Sequence, residues 1–352
     1  MQNQNQFNYQ QPNMSQQDYE RLRQQQYNYM VYRSQIENSK KQQRKELIKI
    51  GFAVGTAIIL YIILQSIAVL LLNVFGLMDA YNSSTMVKYA FNIIGVHLFS
   101  MMIPFGLLAL CFKKNFVAPL VPVKKVKGKD AVAWIAFGMG VCLMSNIIVN
   151  MIIQMSKNVF GYELSQNDYG GPNDWLTCLV IVVSTAIIPA ICEEFAFRCC
   201  TLGILRKYGK GFAVFTVSIV FGLIHGNVIQ FVFAFLVGAL LGYITIKTDN
   251  VIIAMCVHGF NNGMSVINDV ATFAFNENTA TIISNCIFYL WGIASIIALI
   301  YLVRKHAFKS DKPAVKNPAD NSFGVKAACL IPGLIVPFAI LLYFTSQYVT
   351  KI

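Results

Sequence analysis

Ile191-Cys192-Glu193-Glu194-Phe195-Ala196-Phe197-Arg198 puts two adjacent carboxylates and a guanidinium inside an otherwise apolar run that extends over 175–205. At a rise of 1.5 Å per residue, a run of this length is long enough to cross a hydrocarbon layer about 30 Å thick. It therefore reads as a membrane-spanning helix rather than the core helix of a soluble domain. A charged side chain at the bilayer centre costs about 2.5–3.5 kcal/mol on insertion scales. Acids held at that depth mark a functional site.

The rest of the 352-residue chain agrees with a membrane setting. Hydrophobic residues make up 56% and charged residues 12%, about half the charged share of an average soluble domain, and the mean hydropathy is +0.55. Apolar runs of spanning length fall at 51–77, 89–112, 131–155, 175–205, 211–226, 228–246, 251–267, 282–303 and 327–348. The expected fold is an all-α polytopic bundle of about eight or nine transmembrane helices. His225-Gly226-Asn227 is so short a junction that the fifth and sixth runs must form a tight hairpin.

Charge placement gives the expected orientation. The segments 1–49, 113–129, 206–210, 247 and 304–326 hold 24 of the 28 Lys and Arg, against three in the alternate segments. Cytoplasmic loops retain basic residues, so the N-terminus is expected in the cytoplasm and the C-terminus outside, with the plasma membrane as the expected location. The net charge of +12 is accounted for by topology and by attraction to anionic membrane lipid. It requires no nucleic acid.

Composition divides the chain into a Gln/Asn-rich cytoplasmic tail over 1–46, expected to be disordered, N-terminal transmembrane helices over 47–170 and a central helical region over 171–270 that holds the acidic pair and is expected to be the functional core. A further transmembrane helix over 271–307, a cytoplasmic linker over 308–326 and a last transmembrane helix over 327–352 follow. The first apolar run begins too late and is too long for a secretory signal, so it is expected to be the targeting anchor. The nine cysteines show no CxxC pair and read as small buried hydrophobes. Gly238-Ala-Leu-Leu-Gly242 reads as a close helix contact. Pro189, one turn before Glu193, is expected to kink its helix and free a carbonyl that the protein must satisfy.

Helical geometry then arranges the polar residues. Glu194 and Arg198 lie four apart on one face, in the favourable order with the acid first. Glu193, about 100° around the axis, is left for another task. Two of the four histidines lie in nearby spans, as Phe221-Gly-Leu-Ile-His225 and His258-Gly-Phe-Asn-Asn262. Counted from the helix ends, Glu193, His225 and His258 sit at overlapping depths, so all three are expected to converge on one polar cavity. A carboxylate with an imidazole can deprotonate water and return the proton to a leaving amine, while a second imidazole and an amide can donate to an oxyanion. His97 and His306 have no matched neighbours in sequence and are expected to be structural or interfacial.

Glu193-Glu194-x-x-x-Arg198, Phe221-x-x-x-His225 and His258-x-x-x-Asn262 resemble the three ordered motifs of the CPBP intramembrane proteases, which include type II CAAX prenyl endopeptidases and bacteriocin-processing or immunity proteins. The resemblance covers roughly 175–267. It implies an intramembrane endopeptidase acting on a membrane-associated peptide or protein, with Glu193 as general base, His225 as its partner, His258 and Asn262 at the oxyanion, and Glu194 and Arg198 in support.

Metal use stays open at this level. Glu193, His225 and His258 match a His₂Glu zinc set, and the family carries a metalloprotease label. The chain lacks HExxH, and Asn262, a poor zinc ligand and a good amide donor, favours a metal-free site. The alternatives are a non-catalytic or transporter-like protein using the cluster as a proton or solute site, and a scaffold whose N-terminal tail recruits partners.

Overall fold

The structure is a computed structural model that describes residues 15–116, 119–164, 169–309 and 317–351. Its architecture is the expected all-α bundle. Among the described residues, eight helices are long and apolar enough to cross a membrane: α1 (Gln16–Val74), α2 (Thr85–Phe112), α3 (Gly128–Asn158), α4 (Trp175–Tyr208), then, after the shorter α5 (Lys210–Leu223), α6 (Val228–Thr248), α7 (Val251–Ala274), α8 (Glu277–Arg304) and α9 (Phe323–Ser346). A two-stranded antiparallel pair, β1 (Tyr162–Leu164) with β2 (Val349–Lys351), ties the end of α3 to the end of α9.

The 14 residues of α5 reach only about 21 Å, short of the hydrocarbon thickness. The hairpin after it is as tight as expected. Gly226 takes φ +62, the left-handed conformation that costs glycine least. Asn227 Oδ1 then caps α6, accepting from the N–H groups of Ile229 at 2.9 Å and Gln230 at 3.3 Å.

The tail reading needs correction. Residues 16–46 are the exposed first half of α1 and continue without a break into its apolar half; residues 1–14 lie outside the described residues. Scarcity of apolar side chains precludes a core, but it does not preclude a helix. This stretch contains neither Gly nor Pro, is rich in Gln, Arg, Lys and Glu with high helix propensity, and opens on Ser15, whose hydroxyl accepts from the Asp18 N–H at 3.2 Å. Its end is also docked. Arg44 Nε donates to Asn321 Oδ1 at 3.0 Å, Gln43 Nε2 donates to Asp320 Oδ1 at 2.8 Å, and Tyr208 donates to Glu46 at 2.7 Å.

These contacts gather 43–46, 206–209 and 317–326 at one end of the bundle, while β1 and β2 meet at the other. The last helix is therefore integral. It crosses α1 where glycines remove the intervening side chains: a Cβ on Gly55 would sit 1.9 Å from the Gly333 carbonyl oxygen, and one on Gly51 would sit 2.5 Å from that of Leu330.

Two apolar clusters fill the interior. One joins α1, α2, α4, α5 and α9 around Leu47, Phe105, Phe197 and Phe221. The other joins α3, α6, α7 and α8 around Met139, Cys142, Leu241 and Val257. The outward sides of the helices, such as Tyr289, Leu290, Ile293, Ile296 and Ile297 of α8, are exposed and suit lipid contact. Cys192, Cys199 and Cys200 are buried, Cys111 and Cys286 are exposed, and all the cysteines are free thiols.

Candidate active site

Glu193 and Glu194 lie in the middle of α4, in a short α-helical stretch (Ile188–Glu194) between two π-helical ones, Val183–Ile187 and Phe195–Thr201. Such wide turns recur at functional sites because the extra residue redirects side chains. Pro189 contributes to the distortion. Having no N–H, it cannot close a helical bond on the carbonyl of Thr185, four residues earlier. That freed carbonyl receives Asn262 Nδ2 from α7 at 3.0 Å. The carbonyl expected to need a partner thus has one, and the partner is a motif residue.

Arg198 is where sequence spacing placed it. Its Nη1 lies 3.0 Å from Glu194 Oε1, with both side chains fully shielded. A guanidinium at this depth needs more than one partner. Nη2 donates to the Gly238 carbonyl at 3.4 Å, and the guanidinium carbon stands 4.3 Å from the Phe221 ring centroid, a cation–π contact. Gly238 makes room for this arrangement, since a Cβ there would stand 3.0 Å from Phe221 Cδ1. Phe221 is a hub. The His225 ring meets it edge-on at 5.0 Å, the His258 ring at 6.1 Å and Phe197 at 5.1 Å.

The imidazoles are oriented by their Nδ1 atoms. His225 Nδ1 lies 2.8 Å from the Phe221 carbonyl, so Nδ1 carries the proton and Nε2 is left as the acceptor in the neutral ring. His258 Nδ1 lies 2.9 Å from Glu194 Oε1. The same carboxylate oxygen therefore holds Arg198 on one side and His258 on the other. His258 Nε2 is turned toward Glu193 Oε2 at 3.7 Å, within ion-pair reach but too long for a hydrogen bond.

A third imidazole joins the group, which corrects the reading of His97 as structural or interfacial. His97 sits in the π-helical part of α2, Asn92–Met101. Its Nδ1 donates to the Asn92 carbonyl five residues back at 3.0 Å, and its Nε2 lies 3.4 Å from Glu193 Oε1. With Nδ1 already protonated, the contact to a carboxylate requires a second proton between Nε2 and Oε1. Sequence reasoning had no local signal for this pairing, because the partners are 96 positions apart. The available hint was a third histidine, flanked by Gly95 and followed by Pro104, in an apolar run.

Glu193 is thus flanked by His97 and His258, and its Oε2 is buried with no hydrogen-bond partner among the described residues. Asn262 is half-buried, and its Oδ1 accepts from Asn261 at 3.2 Å. One N–H of its amide is committed to Thr185, which leaves the other as a donor. Arg198 and Glu194 touch no surface, and Glu194 Oε1 holds His258 by its Nδ1. Among the described residues, no three His, Cys, Asp or Glu side chains are grouped to hold a metal ion. The donor set does not fit one as arranged, and no step through a metal is derived.

Comparison with known proteins agrees with the position of this cluster. No curated protein and no solved structure matches the chain. Residues 174–264 match the family model described as Type II CAAX prenyl endopeptidase Rce1-like, a stretch of about a quarter of the chain that contains all three motifs and stops just beyond Asn262. Residues 174–264 are thus similar to the Rce1-like type II CAAX prenyl endopeptidases, consistent with the CPBP/CAAX protease family.

Proposed function

We propose that this protein is an intramembrane endopeptidase that hydrolyses a peptide bond in a membrane-associated protein or peptide, with Glu193 and His225 activating the water. The observation that carries this reading is a buried carboxylate set between imidazoles: Glu193 Oε1 faces His97 Nε2 at 3.4 Å, and Oε2, which accepts no hydrogen bond, faces His258 Nε2 at 3.7 Å. A water at Oε2 gives up a proton to the Glu193 and His225 pair, for which the free Nε2 of His225 is suited. The hydroxide attacks the carbonyl carbon. The oxyanion that forms receives hydrogen bonds from the Nε2–H of a doubly protonated His258, whose Nδ1–H is held by Glu194, and from the uncommitted Asn262 N–H. The proton then passes to the departing amine nitrogen, the C–N bond breaks, and a carboxylic acid and an amine are released.

His97 gives this scheme a positioning element. By donating to Oε1, it leaves Oε2 as the oxygen that meets water. We further read the site as metal-free. The family name supports a CAAX-type activity, and a lipid-anchored substrate fits a site reached from the bilayer. The 24 basic residues on alternate segments support an N-terminus in the cytoplasm and a C-terminus outside, an odd number of crossings in which the short α5 makes one with α6 as its return.

The test compares new protein termini, by quantitative proteomics, in membranes holding the wild type or Glu193→Gln at matched levels. Termini found only with the wild type would establish proteolysis and name the substrate. Identical profiles, with both proteins folded, would overturn the proposal.

A further inference from the structure

Away from the Glu193 cluster, a cavity of about 340 Å³ opens between the segment 124–127, the N-terminal end of α3 and the C-terminal ends of α6 and α8. Its polar lining is Lys124, Lys125, Lys127, Lys247, Lys305 and Thr248, with Asp130 as its carboxylate. Lys305 is committed, since it and the Tyr301 hydroxyl both donate to Asp130 Oδ1. Lys247 donates to the Lys309 carbonyl at 2.8 Å, which leaves part of its donor capacity unused. Lys124, Lys125 and Lys127 are exposed.

The segment that carries these three lysines is pinned in place. Lys124 N–H donates to the Asp249 carbonyl at 3.0 Å, Val251 N–H donates to that of Pro122 at 2.8 Å, and Asn250 Nδ2 donates to that of Lys124 at 2.9 Å. The ammonium groups are thus presented from a fixed backbone. Lys127 is the N-cap of the 31-residue α3, with Asp130 as the acid of its first turn. The remaining lining is apolar, from Val126, Trp134, Leu302 and Ala307.

From this combination we infer that the cavity binds the phosphate-bearing headgroup of an anionic phospholipid. Clustered ammonium groups suit a phosphate. The apolar floor with Trp134 suits the glycerol and upper acyl region of a lipid, which free phosphate does not possess. Basic pockets between transmembrane helices are a recurring place for such headgroups.

The experiment is native mass spectrometry of the full-length protein in detergent, titrated with phosphatidylglycerol or phosphatidylcholine. Lys124→Gln/Lys125→Gln/Lys127→Gln is compared with a control of equal charge change on α1, Arg21→Gln/Lys41→Gln/Lys45→Gln. The wild type is expected to hold phosphatidylglycerol in preference to phosphatidylcholine. The cavity variant should lose roughly 100-fold in that affinity, and the control should keep it. Equal loss in both variants, or none in the cavity variant, would overturn the inference. Millimolar inorganic phosphate should fail to displace the lipid; displacement would overturn the lipid assignment in favour of a soluble phosphate.

Discussion

Replacing Arg198 with Met tests the architecture under the chemistry. The Arg198 and Glu194 side chains are fully buried with Nη1 and Oε1 3.0 Å apart. At an effective dielectric of 20, their attraction at that distance is about 5 kcal/mol. Removing one partner of a buried pair leaves an uncompensated charge, which typically costs about 3–5 kcal/mol. Arg198→Met should therefore lower stability by about that amount. Part of the loss comes from the cation–π contact with Phe221. In Glu194→Gln/Arg198→Met no charge is stranded, and the amide oxygen of the new Gln can still accept from His258 Nδ1. The double variant should therefore be at least about 2 kcal/mol more stable than Arg198→Met alone. The assay is reversible unfolding in SDS-titrated mixed micelles, run on all four members of the cycle. A cost below about 1 kcal/mol for Arg198→Met, or a double variant that simply sums the singles, would refute the reasoning.

Three further outcomes follow from the same geometry. His97→Phe removes the donor to Glu193 Oε1 and should lower kcat with little change in KM, while His97→Gln, which keeps an N–H donor, should recover part of the loss; equal rates for the wild type and His97→Phe would dismiss the pairing. Asn262→Ala unseats the Thr185 carbonyl at a cost of about 1–3 kcal/mol and removes an oxyanion donor worth about 10²–10³ in kcat. Adding Pro189→Ala, which restores an N–H for that carbonyl, should return the stability and leave the rate low. Recovery of both, or of neither, would show that Asn262 does not carry two separable roles. Activity should survive dialysis against a strong chelator, because the described side chains present no three-ligand group; loss on chelation that zinc reverses would contradict the metal-free reading.

How much of this was legible in the sequence depends on the range of the interaction. Spans were readable because the hydrocarbon thickness sets their length, and the Glu194–Arg198 pair because four residues make one helical turn. Counting rise along each helix put Glu193 and His258 at the depth where they meet, and His225 and His258 both reach the Phe221 ring. His97 escaped because its contact depends on how α2 packs on α4 and on a π-helical turn that aims the ring, neither of which a spacing rule encodes. The first half of α1 escaped for a different reason: composition reports whether a segment can bury a core, whereas a run of Gln, Lys, Arg and Glu without Gly or Pro can be helical and exposed. The double role of Asn262 was half-visible. Pro189 announced a freed carbonyl, but only the packing of α7 on α4 named the donor.

The central claim is that Glu193 handles the proton of the attacking water. Its most direct test is the cleavage rate of the substrate identified by terminus profiling, measured in reconstituted vesicles for the wild type and for Glu193→Gln. The amide keeps the size of the side chain and cannot take a proton. A loss of about 10²–10⁴-fold in kcat with unchanged unfolding behaviour is predicted; a variant that cleaves within tenfold of the wild-type rate would contradict the account.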